Sequence, residues 1–164
     1  MHDPSDSHPE IHWPSGFSPE NAHSFHRAQA VVPGPPERIF HLLTDVASWT
    51  GWVPECEEVS TDTFTQTFDV RWAGYRFEVF VGEHVPPRRL GWLGIGAGVQ
   101  LYQAWLLTEV EGGTQVVVEN AVRAGAPKAV DTLSRAWGQR LNELWLAQHA
   151  KMLQTLPGQG REIR

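Results

Sequence analysis

The sequence predicts an α+β domain: about seven antiparallel strands, two short helices after the first of them, and one long helix near the C-terminus. Three observations carry this. Residues 30–54, AVVPGPPERIFHLLTDVASWTGWVP, pass from an apolar strand through a Pro-rich corner into a short amphipathic helix and an Asp-led turn. Several runs between residues 64 and 122 alternate apolar and polar side chains with a period of two, as half-buried strands do. Residues 127–156 instead carry their apolar positions at helical spacing.

The elements follow in order. A first strand spans about residues 24–32 and ends at Pro33, Pro35 and Pro36, the last placed where a first helical turn tolerates proline. Ile39, Phe40, Leu43 and Val46 mark the inward face of the first helix. Asp45 stands where a residue would cap a second short helix through Trp49, and Gly51 lets the chain turn. A short strand is expected near residues 57–62. Phe64, Phe68, Val70 and Trp72 share one parity; after Ala73-Gly74, Tyr75, Phe77, Val79 and Val81 continue on an antiparallel partner. Pro86-Pro87 ends that strand, and two more run through residues 90–95 and 100–110. Glu111-Gly112-Gly113 is a tight-turn signal, after which Val116, Val118, Asn120 and Val122 alternate. Pro127 opens the long helix and Pro157-Gly158 closes it. Val130, Leu133, Trp137, Leu141, Leu144, Trp145 and Met152 form its buried stripe, and about thirty residues give it roughly 45 Å. Gly138 within it costs about 1 kcal/mol relative to Ala and marks a kink or a close approach.

The chain divides into an N-terminal arm (1–22), one domain (23–157) and a short tail (158–164). The arm is rich in Pro, Ser, His and acid and is expected to be mobile or to lie extended on the surface; Ile11, Trp13 and Phe17 could pin it to the domain or to a second subunit. Its histidines are irregularly spaced and no cysteine accompanies them, so no metal site is expected.

Composition removes several classes of function. The 164 residues carry a net charge of −6, with no Lys/Arg cluster beyond Arg88-Arg89, which argues against nucleic acid and anionic lipid surfaces. Cys56 is the single cysteine, so no intrachain disulfide forms and a reducing compartment fits. The first residues lack the basic and apolar regions of a secretory signal. Residues 90–107 approach membrane-spanning length but are broken by Gly91, Gly94, Gly96 and Gly98, so they read as two buried strands without stable membrane insertion. A cytoplasmic protein is the expectation. The glycines are not followed by a helix and make no dinucleotide loop; no G-x-S-x-G elbow is present, nothing in sequence activates the thiol of Cys56, and no cofactor signature appears. Eight Trp are the unusual feature. Large aromatics supply either a bulky core or a broad apolar binding wall.

PPERIFHLLTDVASWTGWVP (residues 35–54), supported by GGTQVVVEN (112–120), resembles the START/Bet v 1-like superfamily, in particular its polyketide cyclase/dehydrase-like (SRPBCC) branch. The resemblance covers about residues 25–156. It implies a helix-grip fold, in which a curved sheet wraps the long C-terminal helix and leaves a cavity between them, opening near the two short helices. It also implies a hydrophobic small molecule as partner. By parity, Phe68, Trp72, Tyr75, Phe77, Trp92, Leu101 or Tyr102, Trp105 and Asn120 face that space, joined by Trp137 and Leu141 from the helix, with Trp49 and Trp52 at its mouth.

Polar residues in this apolar set are the candidates for specificity or chemistry. Asn120 lies on the apolar parity of its strand, and a buried amide must find partners. Tyr75 and Tyr102 carry hydroxyls able to hydrogen-bond or donate a proton, and His41 and His84 are candidate bases. Glu119 points opposite to Asn120 and is expected to be solvated or paired with Arg123 or Arg76. Three functions compete. The first is a carrier that sequesters a ring-containing hydrophobic molecule. The second is a cyclase or aromatase-like enzyme acting on a poly-ketone, with Tyr75, Tyr102, Asn120 or His41 assisting proton transfer. The third is a protein-binding module with a filled cavity and an exposed aromatic patch. The apolar wall favours the first. Exposed edge strands and the aromatic arm are compatible with a homodimer.

Overall fold

The computed structural model describes residues 7–14, 17, 19–22, 24–52, 56–72, 74–96 and 98–124. Among them are seven strands, β1 (Ser24–Val32), β2 (Cys56–Val59), β3 (Thr67–Trp72), β4 (Tyr75–Val85), β5 (Arg89–Gly96), β6 (Val99–Val110) and β7 (Gly113–Ala124). Two short helices, α1 (Pro36–Thr44) and α2 (Trp49–Trp52), stand between β1 and β2, separated by a 3-10 turn (Val46–Ser48). The expected long helix, with Trp137, Leu141 and Gly138, lies outside the described residues.

All pairings are antiparallel, in the order β1-β7-β6-β5-β4-β3-β2. Each of the links from β2 to β7 joins sequence neighbours, and β1 returns from the far end of the sequence to pair with β7. Register shifts interrupt the ladders between Val81 and Glu83 on β4 and between Cys56 and Glu58 on β2. Bulges of this kind bend a strand and increase its twist, so they curve this end of the sheet.

Pro36 opens α1, where its missing N–H deprives no helical bond, and Ile39, Phe40, Leu42 and Leu43 bury its inner face. Asp45 differs from expectation. Its side chain makes no capping bond; instead its backbone carbonyl accepts from Ser48 Oγ at 2.7 Å. The Ser48 backbone N–H donates to the same carbonyl at 3.0 Å, so the turn is closed by a backbone bond and the serine hydroxyl together.

Two apolar layers flank the sheet. The inner layer gathers α1, Trp49 and one parity of every strand, including Val70, Phe77, Trp92, Trp105 and Val118. The outer layer lies on the opposite parity of β6 and β7, where Tyr102, Ala104, Leu106, Val117 and Ala121 are covered by Ile11 and Phe17, with Trp13 beside them. β6 is thus buried on both faces and reads as a run, LYQAWLL, that is apolar but for Gln103 and has no alternation to reveal which side faces where.

Glu119 is the second departure. It is fully buried on the outer face, where its carboxylate accepts from Arg27 Nε at 3.0 Å, Ser7 Oγ at 2.7 Å and the His8 backbone N–H at 2.7 Å. Neither Arg123 nor Arg76 is its partner: Arg76 pairs with Asp69 across the β3–β4 hairpin. Arg88 holds Glu10 at the surface and keeps that carboxyl below its usual range. Ion pairs and ring contacts together seat residues 7–17 on the outer face, as far as these residues are described.

Candidate functional site

The inner face of the sheet encloses a hollow with about 80 Å³ of space for the centres of water-sized molecules, well above the roughly 10–15 Å³ that one water needs. Four indoles, Trp49, Trp72, Trp92 and Trp105, dominate its wall. β3 adds Val70, β4 adds Phe77 and Val79, β6 adds Leu101, and α1 closes one side with Leu43. The row Val79–Gly94–Leu101 crosses three strands in register, and the missing side chain at Gly94 leaves room beside the Phe77 ring.

Three of the indoles form a connected set, and Trp72 stands against Phe77, 6.4 Å between centroids. Ring centroids lie 5.5 Å apart for Trp49–Trp92 and 6.5 Å for Trp92–Trp105, both tilted, within the range where aromatic pairs attract. Each buried N–H needs a partner, and two are defined: Trp49 donates to the Leu43 carbonyl at 3.1 Å, and Trp92 to Gln103 Oε1 at 2.9 Å. The first bond fastens α2 to α1 and holds the Trp49 ring against the wall.

Of the residues singled out from sequence, Trp49, Trp72, Phe77, Trp92 and Trp105 line the hollow. Phe68 is buried behind Trp49, 5.9 Å between centroids. Asn120 is fully buried on the inner parity of β7, in register with Gln103. The side chain of Trp52 and all of Trp137 and Leu141 fall outside the described residues.

Four expectations are corrected. Tyr102 faces the outer layer, 5.9 Å from the Trp13 ring and 6.1 Å from Phe17, and Leu101 takes the inner position. Burial, with Glu83 nearby, pushes its phenol up to about 12, so it holds its proton at neutral pH. Tyr75 has the inward parity but starts β4 at the hairpin tip, beyond the last β4–β5 pair, Glu78 with Ile95, and is 41% exposed. His41 is exposed on the solvent face of α1. His84, at the end of β4, is exposed with its ring against Phe40 and Phe64.

Six lining residues were missed, two of them with polar side chains. Gln103 shares the parity of Leu101 and Trp105, a polar residue on an apolar stripe; this is the signal that marked Asn120. Cys56 opens β2 beside the hollow, and burial, with the Glu57 charge, pushes its thiol up to about 11. It is protonated at neutral pH and inert as a nucleophile. Among the described residues no group of three His, Cys, Asp or Glu side chains could hold a metal ion, and no helix is long and apolar enough to cross a membrane.

A seven-stranded antiparallel sheet with two short helices after its first strand and an apolar hollow on its inner face is the architecture of START-like proteins. The chain belongs to the polyketide cyclase/dehydrase and lipid transport family, whose model matches residues 32–148. Solved structures agree in fold. A hypothetical protein of Helicobacter pylori is similar with a TM-score of 0.73 at 16% identity, covering 91% of this chain and 97% of that one. A START superfamily protein of Mycobacterium smegmatis gives 0.66 at 15% identity, covering 80% and 98%. A protein of the dynemicin biosynthetic locus gives 0.60 at 21% identity, covering 80% of this chain and 46% of that one. No curated protein matches the sequence.

Proposed function

We propose that this protein binds a hydrophobic, ring-containing small molecule in the inner hollow and carries or sequesters it. The observation that carries this reading is the wall itself, four indoles and Phe77 around a void whose other polar side chains, among the described residues, are Gln103 and Cys56. Flat aromatic surfaces favour ring systems through stacked and edge contacts as well as burial. Family membership supports a small-molecule ligand.

The cyclase reading uses the same hollow and needs a group that gives or takes a proton there. The side chains considered for that role are elsewhere: Tyr102 on the outer face, Tyr75 and His41 exposed. Asn120 remains, and an amide orients a substrate without titrating. The carrier reading therefore stands first.

Native mass spectrometry of freshly purified protein, followed by extraction and identification of the released compound, tests it directly. A reproducible added mass from a ring compound is the expected result. A bare mass, with no binding of apolar ring compounds, would overturn it. Trp72→Leu should weaken binding of such a compound about three- to tenfold, the worth of one aromatic contact, while leaving the circular dichroism spectrum unchanged.

A further inference from the structure

One transverse row of the inner face carries polar groups where the rows beside it on β6 and β7 are Trp105–Val118 and Leu101–Val122. The pairs Trp92–Gln103, Gln103–Asn120 and Asn120–His26 set these four residues side by side across β5, β6, β7 and β1. All four have the inner parity. Trp92 and Gln103 line the hollow, Val118 and Val122 flank Asn120 in the inner core, and Ala28 and Val32 share the parity of His26. Directly opposed residues on one face have their Cβ atoms about 4.5–5.5 Å apart, close enough for one bound group to touch two of them.

The hydrogen bonding of this row is incomplete. Trp92 occupies the Gln103 oxygen. Both Nδ2 and Oδ1 of Asn120 are buried with no hydrogen-bond partner among the described residues, and the residue is 0% exposed. A buried amide left unpaired at both ends pays its desolvation cost without return. In the segment VVVENAV, a valine or leucine at position 120 would serve packing alone better. Glu119, its neighbour on the outer face, shows the contrast, since three donors satisfy its carboxylate.

We infer that this row is the polar end of the ligand site, and that the ligand is a ring compound bearing a hydrogen-bond donor and an acceptor side by side on one edge, as in a lactam. The inference rests on the hollow being the binding site. An asparagine carboxamide presents one acceptor and a donor in a single plane, and its complement is a group with the reverse pair. The Gln103 amide borders the void and Asn120 lies one strand further toward β1, so the polar edge of the ligand points toward β7 and β1 while its apolar body lies among Trp49, Trp92 and Trp105.

Two probes of similar shape separate this from the general reading: 2-quinolone, which carries N–H and C=O on adjacent atoms, and naphthalene, which carries neither. Dissociation constants are measured by ligand-observed NMR. Wild type should bind 2-quinolone about tenfold more tightly than naphthalene, since a site built for hydrogen bonds rejects an analogue lacking them. Asn120→Leu should bring that ratio close to one by weakening 2-quinolone, with naphthalene changed less than about twofold. If wild type binds both probes equally, or if Asn120→Leu keeps the preference, the row is not a ligand contact, while naphthalene binding leaves the carrier reading intact. Binding of neither probe overturns both. Should Asn120→Leu fail to fold, Asn120→Val and Gln103→Leu are read by the same ratio, and a preference retained in both overturns the inference.

Discussion

Glu119 shows how far one residue can depart from its sequence neighbourhood. It sits in an apolar strand, beside Asn120, and is fully enclosed, yet three donors reach it from β1 and from the arm. A buried carboxylate survives only with partners of this kind. Glu119→Ala strands Arg27, whose side chain is one-third exposed and can partly turn to water. The expected loss is therefore about 2–3 kcal/mol rather than the larger figure for a fully enclosed pair, read as a lower urea midpoint at unchanged slope. Tyr102 gives a second test at this scale. Its phenol is raised from 10.0 to about 12 in the fold, so the folded state keeps a proton that the unfolded state releases. Stability is then complete below pH 10 and falls as pH rises toward 12, by up to roughly 2–3 kcal/mol. Cys56, raised from 9.0 to about 11, contributes in the same sense from lower pH. Denaturation of wild type and Tyr102→Phe between pH 9 and 12 separates them: the phenylalanine variant should lose the steeper fall above pH 10 and keep the earlier one.

At the scale of elements, the outer layer depends on glycines, one of which, Gly91, sequence reading takes for a break in an apolar run. The Tyr102 ring crosses from β6 over β5 and β4, and its hydroxyl rests against Gly91, with Gly82 next to it. Any β-carbon at Gly91 would collide with the phenol, and Trp13 and Phe17 above the ring limit its retreat. Gly91→Ala should cost about 1–3 kcal/mol, as overpacking of a filled layer does. Adding Tyr102→Phe should recover part of that loss, since the hydroxyl is the nearest clashing atom. A double-mutant cycle by thermal denaturation measures the coupling, and additive effects would show that the slot is not what the glycine provides.

For the whole molecule, the sheet has two covered faces with separate tasks. The inner face holds the hollow, and the outer face is closed by residues 7–14 and 17 through Ile11, Phe17 and the bonds to Glu119. Deleting residues 1–17 should uncover Tyr102, Leu106 and Val117 and lower Tm by roughly 6–12 °C, for a loss near 3 kcal/mol in a chain of this size. Ligand affinity should change little, because no arm residue lines the hollow among the described residues. Loss of ligand binding in a deletion variant that stays folded would show that the two faces are coupled.

The fold was legible because its signals are local. Proline at 33, 35 and 36 ends β1 and starts α1 wherever the chain lies in space, and Gly112-Gly113 turns β6 into β7 by backbone freedom at φ of +93° and +148°. Strict alternation likewise assigned Trp72, Phe77 and Trp92 to the inner wall. The candidate site was legible only where one face of a strand is apolar. On β6 both faces are, so parity alone could not separate Tyr102 from Leu101, and only the arm packed on the outer layer decides it. Tyr75 shows the complementary limit, since its direction is right but the strand that would wall it in ends short. Sequence by itself determined the order of elements from β1 to β7 and the aromatic residues available for a cavity wall, through dihedral preferences and periodicity. The tertiary structure alone decided which partners meet, Arg27 with Glu119 and Gln103 with Asn120, because register brings together residues that neither spacing nor composition relates.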